Sequence, residues 1–312
     1  MSRPRHLALL GPTATGKSAL ALGLARTLGG IEIVSVDSMQ VYRGMDIGTA
    51  KASPAERAEV PHHLLDLAGP EESFSVTRFQ EAARGAIAAI EGRGHRALLV
   101  GGTGLYYQAV VDGFTVPGED VDVRRALDAR ADDAGLPALY EELASLDPVA
   151  AGRIEPGNRR RIVRALEVTL ATGRPFSSFG PGVFSAGNGP AALAVSAAGV
   201  WLPRAVTAER IDGRIEAMVA AGLVDEARAV AAAGISVTAR QAIGYKEILD
   251  HLEGGATLAE GLARAADRTR ALARRQRMWF RRDRRITWFG ADRNPLALLP
   301  ALLATWAQPE TE

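Results

Sequence analysis

At 312 residues with 47% hydrophobic and 23% charged residues, the chain is long enough for one large or two modest folded domains, and its composition is that of a globular protein rather than a disordered one. It has no cysteine, which excludes disulfides and thiolate metal sites, and no apolar run reaches the ~18 residues of a membrane span. The net charge of +1 hides an asymmetry, a basic block on a near-neutral chain that hints at a polyanionic partner, and Met1–His6 lead directly into an apolar run without a signal-peptide pattern, so a cytoplasmic enzyme is expected.

The first chemistry-bearing stretch is Gly11-Pro12-Thr13-Ala14-Thr15-Gly16-Lys17-Ser18. It follows the apolar run Leu7–Leu10 and precedes a helical pattern over Ala19–Leu28, giving strand, glycine-rich turn and helix at P-loop spacing. Glycines let successive backbone N–H groups converge on a phosphate, the helix N-terminus adds partial positive charge, and Lys17 adds a full one. Ser18 is placed to offer its hydroxyl to Mg2+. A bound di- or triphosphate is the expectation.

Ile31–Val36 alternates as a second strand and ends at Asp37-Ser38-Met39-Gln40. Strand carboxyl ends line the ligand crevice of a doubly wound sheet, so Asp37 belongs near the P-loop phosphates, although a turn or cap aspartate would look the same. Val41–Lys51 reads as an ordered loop over the site. His62-His63 point in different directions on any regular element, so a structural role outweighs a metal one. A helix is expected over Thr77–Glu91, with Phe79, Ala82, Ala83, Ala86, Ile87 and Ile90 on its apolar face. A third strand, Arg96–Val100, runs into Gly101-Gly102-Thr103-Gly104 where a P-loop NTPase would place a magnesium-binding acid. This second glycine-rich turn implies a further backbone surface approaching a ligand.

From Phe114 the texture changes to charged helices, over Val123–Ala134, Leu136–Ser145 and Arg159–Thr172, after a linker at Val116–Asp120. No strand returns until Ala191–Leu202, and Gly180-Pro181-Gly182 with Gly187–Pro190 marks the far boundary. The expected fold class is α/β, a P-loop core with a mainly parallel sheet over 1–115 and 190–312, plus a helical insertion domain at 116–189. Arg159-Arg160-Arg161 and Arg164 form the densest basic cluster of that insertion, equally readable as a solvated helix face. Further on, Arg210 and Arg214 share a helix face and could hold an anion or sit in water. Ten Arg against Asp267 and Asp283 between Arg264 and Arg285 give a local charge of +8, so the rest of the chain carries −7. Arg interleaved with Trp279 and Phe280 is the pairing expected where bases stack and phosphates are neutralised. A last strand, Ile286–Phe289, closes the sheet.

GPTATGKS (Gly11–Ser18), SVDSMQVYRGMDIGTAK (Ser35–Lys51), PHHLLD (Pro61–Asp66), VGGTGLY (Val100–Tyr106), RRIVRALEV (Arg160–Val168), AIGYKE (Ala242–Glu247) and RRQRMWFRR (Arg274–Arg282) together resemble the motifs of the tRNA dimethylallyltransferase family, in one order along nearly the whole chain. The resemblance implies transfer of a dimethylallyl group from dimethylallyl diphosphate to the N6 amine of the adenosine 3′-adjacent to the anticodon. The partner is then a tRNA anticodon stem-loop, the metal Mg2+ and the protein a monomer. It implies that the diphosphate lies on Gly11–Ser18, with Arg210 or Arg214 as a further cation, that Asp37 is the general base, and that Thr13 and Lys17 attend the leaving group. It places Asp37, Ser38, Met39, Gln40, Thr103, Arg160, Arg161, Ile162, Val163, Arg164, Arg240, Gln241, Ala242, Ile243, Gly244 and Tyr245 along the tRNA. The family commonly carries D-P-Q-R where this chain has Asn158-Arg159-Arg160-Arg161, which exchanges an amide contact for a cationic one. Two rivals remain on the residues alone: a P-loop kinase using ATP, which leaves VGGTGLY unexplained, and an RNA-binding protein with a vestigial P-loop, which leaves Asp37 with Lys17-Ser18 unexplained.

Overall fold

The computed structural model describes residues 6–114, 117–179 and 191–307. The Gly180–Gly182 and Gly187–Pro190 boundary and Val116 of the linker lie outside them. The chain divides into two compact units, Met1–Asp112 with Gly187–Glu312, and Gly113–Ala186.

In the first unit, β1 (His6–Leu10), β2 (Ile31–Val36), β3 (His62–His63), β4 (Arg96–Gly101), β5 (Val195–Trp201) and β6 (Ile286–Gly290) form one sheet in the order β3-β2-β4-β1-β5-β6. Every pairing is parallel, in keeping with the α/β expectation. A parallel sheet must be covered on both faces, and its strands alternate accordingly. Leu7, Leu9, Ile33, Leu98 and Val200 face one core with Leu20, Leu24, Leu302 and Trp306. Ala8, Leu10, Val34, Val36 and Leu99 face the other with Phe79, Ile87, Ile90, Tyr107, Leu223 and Tyr245.

The covering helices up to the end of β4 are α1 (Lys17–Leu28), α2 (Pro54–Glu59) and α3 (Val76–Gly92), followed by α4 (Gly104–Val111). The second unit is built from α5 (Val121–Asp133), α6 (Leu136–Leu146), α7 (Pro148–Ala151) and α8 (Arg159–Thr172). Its core is Leu127, Leu139, Leu143, Ile154, Ile162 and Leu166. The first unit resumes after β5 with α9 (Arg204–Ala220), α10 (Leu223–Ala232), α11 (Val237–Arg240), α12 (Tyr245–Leu252) and α13 (Leu258–Phe280), and ends, after β6, with α14 (Leu299–Ala307). A capping box of Thr257 and Glu260 starts α13, supplying partners for the first free amides of a long helix.

Register aligns the functional ends of the strands. Leu10 is level with Gly101 of β4 and Gly199 of β5, and Val36 of β2 is level with Gly101. The three segments that leave β1, β2 and β4 therefore emerge side by side at one edge of the sheet.

Candidate active site

The turn after β1 is a wound cradle. Gly11 (φ 142°), Ala14 (φ 63°) and Gly16 (φ 82°) all have left-handed backbone, and Gly16 caps α1. Only glycine enters this region freely, and a Cβ on Gly11 would also strike the Val200 carbonyl of β5. Thr15 Oγ1 and Lys17 Nζ both donate to the Pro12 carbonyl, at 2.8 and 2.6 Å. Lys17 is buried, and Ser18 is exposed at the next helical position.

Two helices from far along the chain hold this turn. Arg210 Nε of α9 donates to Ala14 O at 2.8 Å, and Arg214 donates to Thr13 Oγ1 at 3.3 Å. The Thr13 amide donates to Gln276 Oε1 of α13 at 2.8 Å. Both guanidinium groups of the Arg210–Arg214 face thus reach the turn, Arg214 half-buried and Arg210 still exposed.

Asp37 leaves β2 beside this cradle. Its Oδ1 accepts from the amides of Met39 (2.8 Å) and Gln40 (3.4 Å). Burial pushes its carboxyl up, against the pull of those two hydrogen bonds and of Lys17. Burial, with Arg214 adding to it and Asp37 opposing, pushes Lys17 down to about 7. Arg214 is lowered by burial and then by Arg210. Lys17 and Arg214 are thus cations whose burial disfavours their charge, a cost that added negative charge would offset.

Thr103 Oγ1 accepts from the Ser38 amide at 3.2 Å, which joins the turn after β4 to the segment after β2. The glycines of that turn admit close approach by the protein itself. A Cβ on Gly101 would strike the Val36 carbonyl, one on Gly102 the Gln276 carboxamide, and one on Gly104 the Trp279 indole.

Among the residues expected along the tRNA, the structure spends several on the interior. Ile162 and Val163 are buried in the second unit's core, and Ala242 and Tyr245 in the first unit's. The Tyr245 hydroxyl donates to Glu226 at 2.5 Å. These four are core side chains: Ile162 and Val163 on α8, Tyr245 on α12, and Ala242 in the turn that enters it. Gln40 accepts from Ser35 Oγ (2.7 Å) and donates to Thr49 O (3.0 Å), so its carboxamide ties the following loop to β2. Arg164 donates to Glu167 (2.7 Å) and to the Pro117 and Gly118 carbonyls (2.6 and 3.0 Å). Arg240 pairs with Glu253 at 2.6 Å, Gly244 (φ 96°) caps α12, and Met39 packs against the core. Arg160, Arg161 and Gln241 are exposed, and Ile243 is half-buried.

The Val41–Lys51 loop is fixed from both ends. Lys51 Nζ donates to Tyr42 O (2.5 Å), Asp46 (2.7 Å) and Asp66 (2.6 Å). Glu226 of α10 accepts from the amides of Asp46, Ile47 and Gly48 at 2.8–3.0 Å. His63 and His95 both bond Glu32, at 2.6 and 2.8 Å, as does Arg93 at 2.7 Å, a structural role at the opposite end of β2. Glu226 and Gln276 escaped sequence reading. Gln276 carried one signal: it is the uncharged polar residue inside the Arg-rich run.

With that geometry in place, a family model described as IPP transferase matches residues 40–283, and one described as isopentenyl transferase matches 5–66. The chain belongs to this family. It is 48% identical to a tRNA dimethylallyltransferase of Moorella thermoacetica over 95% of this chain and 93% of that one. It is also 48% identical to the Geobacter metallireducens protein of the same name over 92% of each. The crystal structure of the full-length tRNA isopentenylpyrophosphate transferase from Bacillus halodurans superposes with a TM-score of 0.70 at 40% identity, covering 97% of this chain and 95% of that one. A eukaryotic dimethylallyltransferase acting on tRNA shares the fold, with a TM-score of 0.76 at 24% identity over 98% of this chain and 81% of that one. Family membership therefore rests on the whole length of both units.

Proposed function

We propose that this chain transfers the dimethylallyl group of dimethylallyl diphosphate to the N6 amine of the adenosine 3′-adjacent to the anticodon of a tRNA, in the cytoplasm, releasing diphosphate. One observation carries the reading: Asp37, a half-buried carboxyl whose proton affinity desolvation raises, stands beside a cationic cradle at the shared end of β1, β2 and β4. That end pairs a base with an anion site, which is what attack by an amine on an allylic diphosphate requires.

The exocyclic amine is a weak nucleophile because its lone pair is delocalised into the ring. Asp37 positions it and accepts its proton as the C–N bond forms, and a raised proton affinity makes it a stronger base. Both backbone bonds fall on Oδ1, leaving Oδ2 for the amine. The C–O bond to diphosphate breaks as the C–N bond forms, and the electron pair leaves on the diphosphate oxygen. Lys17, Arg210, Arg214 and the turn's amides neutralise that charge, with the Thr13 hydroxyl at the leaving oxygen. Among the described residues no cluster of three His, Cys, Asp or Glu could cage a metal. That suits Mg2+ held chiefly through substrate phosphate oxygens, with the exposed hydroxyl of Ser18 as the protein's oxygen donor. When bound there, the ion adds positive charge beside the departing anion.

The target base leaves its stack at a cost of about a few kcal/mol. Ser38, Thr103, Gln241 and the exposed Arg160 and Arg161 are the side chains offered to the RNA, with the exposed arginines of α13 contributing phosphate contacts. Label transfer from dimethylallyl diphosphate, with Mg2+, into an unmodified anticodon stem-loop tests the proposal, with ATP run in parallel. Label on the adenosine next to the anticodon is the expected result. Phosphoryl transfer from ATP without prenylation across several stem-loops would replace the reading with a kinase.

A further inference from the structure

We propose that Gln276 is the positioning residue of the diphosphate-binding turn, a strut through which the Arg-rich helix α13 sets the conformation of Thr13. The inference rests on the diphosphate reading of that turn.

The Thr13 peptide sits between two glycine-rich segments and has no secondary-structure partner for its N–H. Gln276 Oε1 accepts from it at 2.8 Å, across a sequence separation of 263 residues. The same carboxamide lies against Gly102, where any Cβ would displace it, and that Cβ would stand 3.4 Å from Gly11 O. Gln276 thus threads between the turn after β1 and the turn after β4 and touches both. Arg214 meanwhile donates to the Thr13 hydroxyl at 3.3 Å. One helix holds the backbone of Thr13 and another its side chain.

The strut stands on a rigid base. Arg270 pairs α13 with Asp212 of α9, the helix of Arg210 and Arg214, and Arg268 pairs it with Glu247 of α12. Trp279 packs on Gly104, and Phe280 is buried edge-on to Tyr107 with ring centroids 6.2 Å apart. A neutral amide is the group this position calls for. It offers an acceptor to Thr13 without placing negative charge beside a diphosphate, which a glutamate would do, and its reach suits the gap over Gly102. Arg, which fills the neighbouring positions 274, 275 and 277, has no acceptor to offer.

The test compares Gln276→Met and Gln276→Glu with the unaltered chain. Inorganic pyrophosphate with Mg2+ is titrated calorimetrically, exchange of the Thr13 amide is followed by NMR, and kcat and KM for dimethylallyl transfer are measured. Met keeps the volume and loses the acceptor. Thr13 amide protection is expected to disappear, pyrophosphate affinity and kcat each to fall about tenfold, and the Kd for the stem-loop to stay within about twofold. Glu keeps the acceptor and adds charge. Thr13 protection is expected to persist while pyrophosphate affinity falls at least as far as in the Met variant. If the unaltered chain binds pyrophosphate and the Met variant binds it equally with unchanged kcat, the strut is overturned. A loss confined to stem-loop affinity overturns it as well, making Gln276 an RNA contact. Absence of prenyl transfer by the unaltered chain would count against the proposed reaction while leaving the pyrophosphate and amide comparison to decide on Gln276.

Discussion

The two glycine-rich turns at the edge of the sheet look alike in sequence and solve opposite problems. In Gly11–Ser18 the glycines supply backbone shape: Gly11 and Gly16 take left-handed φ, and even Ala14 is held there at 63°. The result is a tightly wound turn, closed by Thr15 and Lys17 on the Pro12 carbonyl. In Gly101–Gly104 no residue has positive φ, and the missing side chains supply space instead. They admit the β2 backbone at Gly101, Gln276 at Gly102 and Trp279 at Gly104. One turn is shaped by its own backbone, while the other lets α13 come close enough to reach the first. Glycine density alone does not distinguish these uses, whereas φ and the identity of the nearest atom do.

The largest effect that would sharpen this contrast is at Asp37, the acid that shares the edge with the first turn. Asp37→Ala is expected to lower kcat about a thousandfold, the range of a lost general base, with stem-loop affinity changed severalfold at most. Equal losses in kcat and affinity would make Asp37 a binding residue only.

Next comes the second turn. Gly101→Ala sets a methyl group on the Val36 carbonyl at the carboxyl end of the parallel β2–β4 pairing, where backbone rather than a yielding side chain is struck. A stability loss on the order of 3 kcal/mol is expected in urea unfolding. Gly85→Ala, in the exposed middle of α3 with nothing within 4 Å of its would-be Cβ, should instead gain up to about 1 kcal/mol. If Gly101→Ala were as mild as Gly85→Ala while abolishing pyrophosphate binding, the second turn would be a ligand surface after all.

What was legible in the sequence follows the range of the forces involved. Strand, turn and helix over β1 and α1 are decided by neighbours in the chain, and β2, α3, β4 and β6 are marked by alternation or helical spacing, so these elements were readable. The helix α14 was passed over beyond β6, although Leu298, Leu302 and Trp306 recur at the four-residue spacing of a buried face. Within the site, Lys17 is legible from the spacing of its glycine-rich turn and Asp37 from its place at the end of β2. The family resemblance puts Ile162 and Val163 along the tRNA with their arginine neighbours, yet with Leu166 they form an apolar stripe that the second unit buries. Gln276 and Glu226 could not be placed, since they act on backbone amides more than 175 residues away, and no local pattern encodes that distance.

The smallest effect separates the turns by charge. Gly101-Gly102-Thr103-Gly104 contains no titratable side chain, so pH sensitivity of anion binding near neutrality belongs to the first turn, through Lys17. Burial holds its ammonium down to about 7 in the free protein, and a diphosphate beside it raises that value. Below about 7 Lys17 is already charged and affinity is at its full level. As pH rises through 7, binding must first take up a proton, and affinity falls by up to about tenfold per pH unit until the pKa of the complex is reached. Pyrophosphate gains charge over the same range and works in the opposite direction, so Lys17→Arg, whose guanidinium stays charged throughout, is the reference. Calorimetry in two buffers of different ionisation enthalpy should show extra proton uptake above pH 7 for the unaltered chain relative to Lys17→Arg. Identical uptake in both would remove Lys17 as the titrating group and leave the first turn's advantage to its amides and arginines alone.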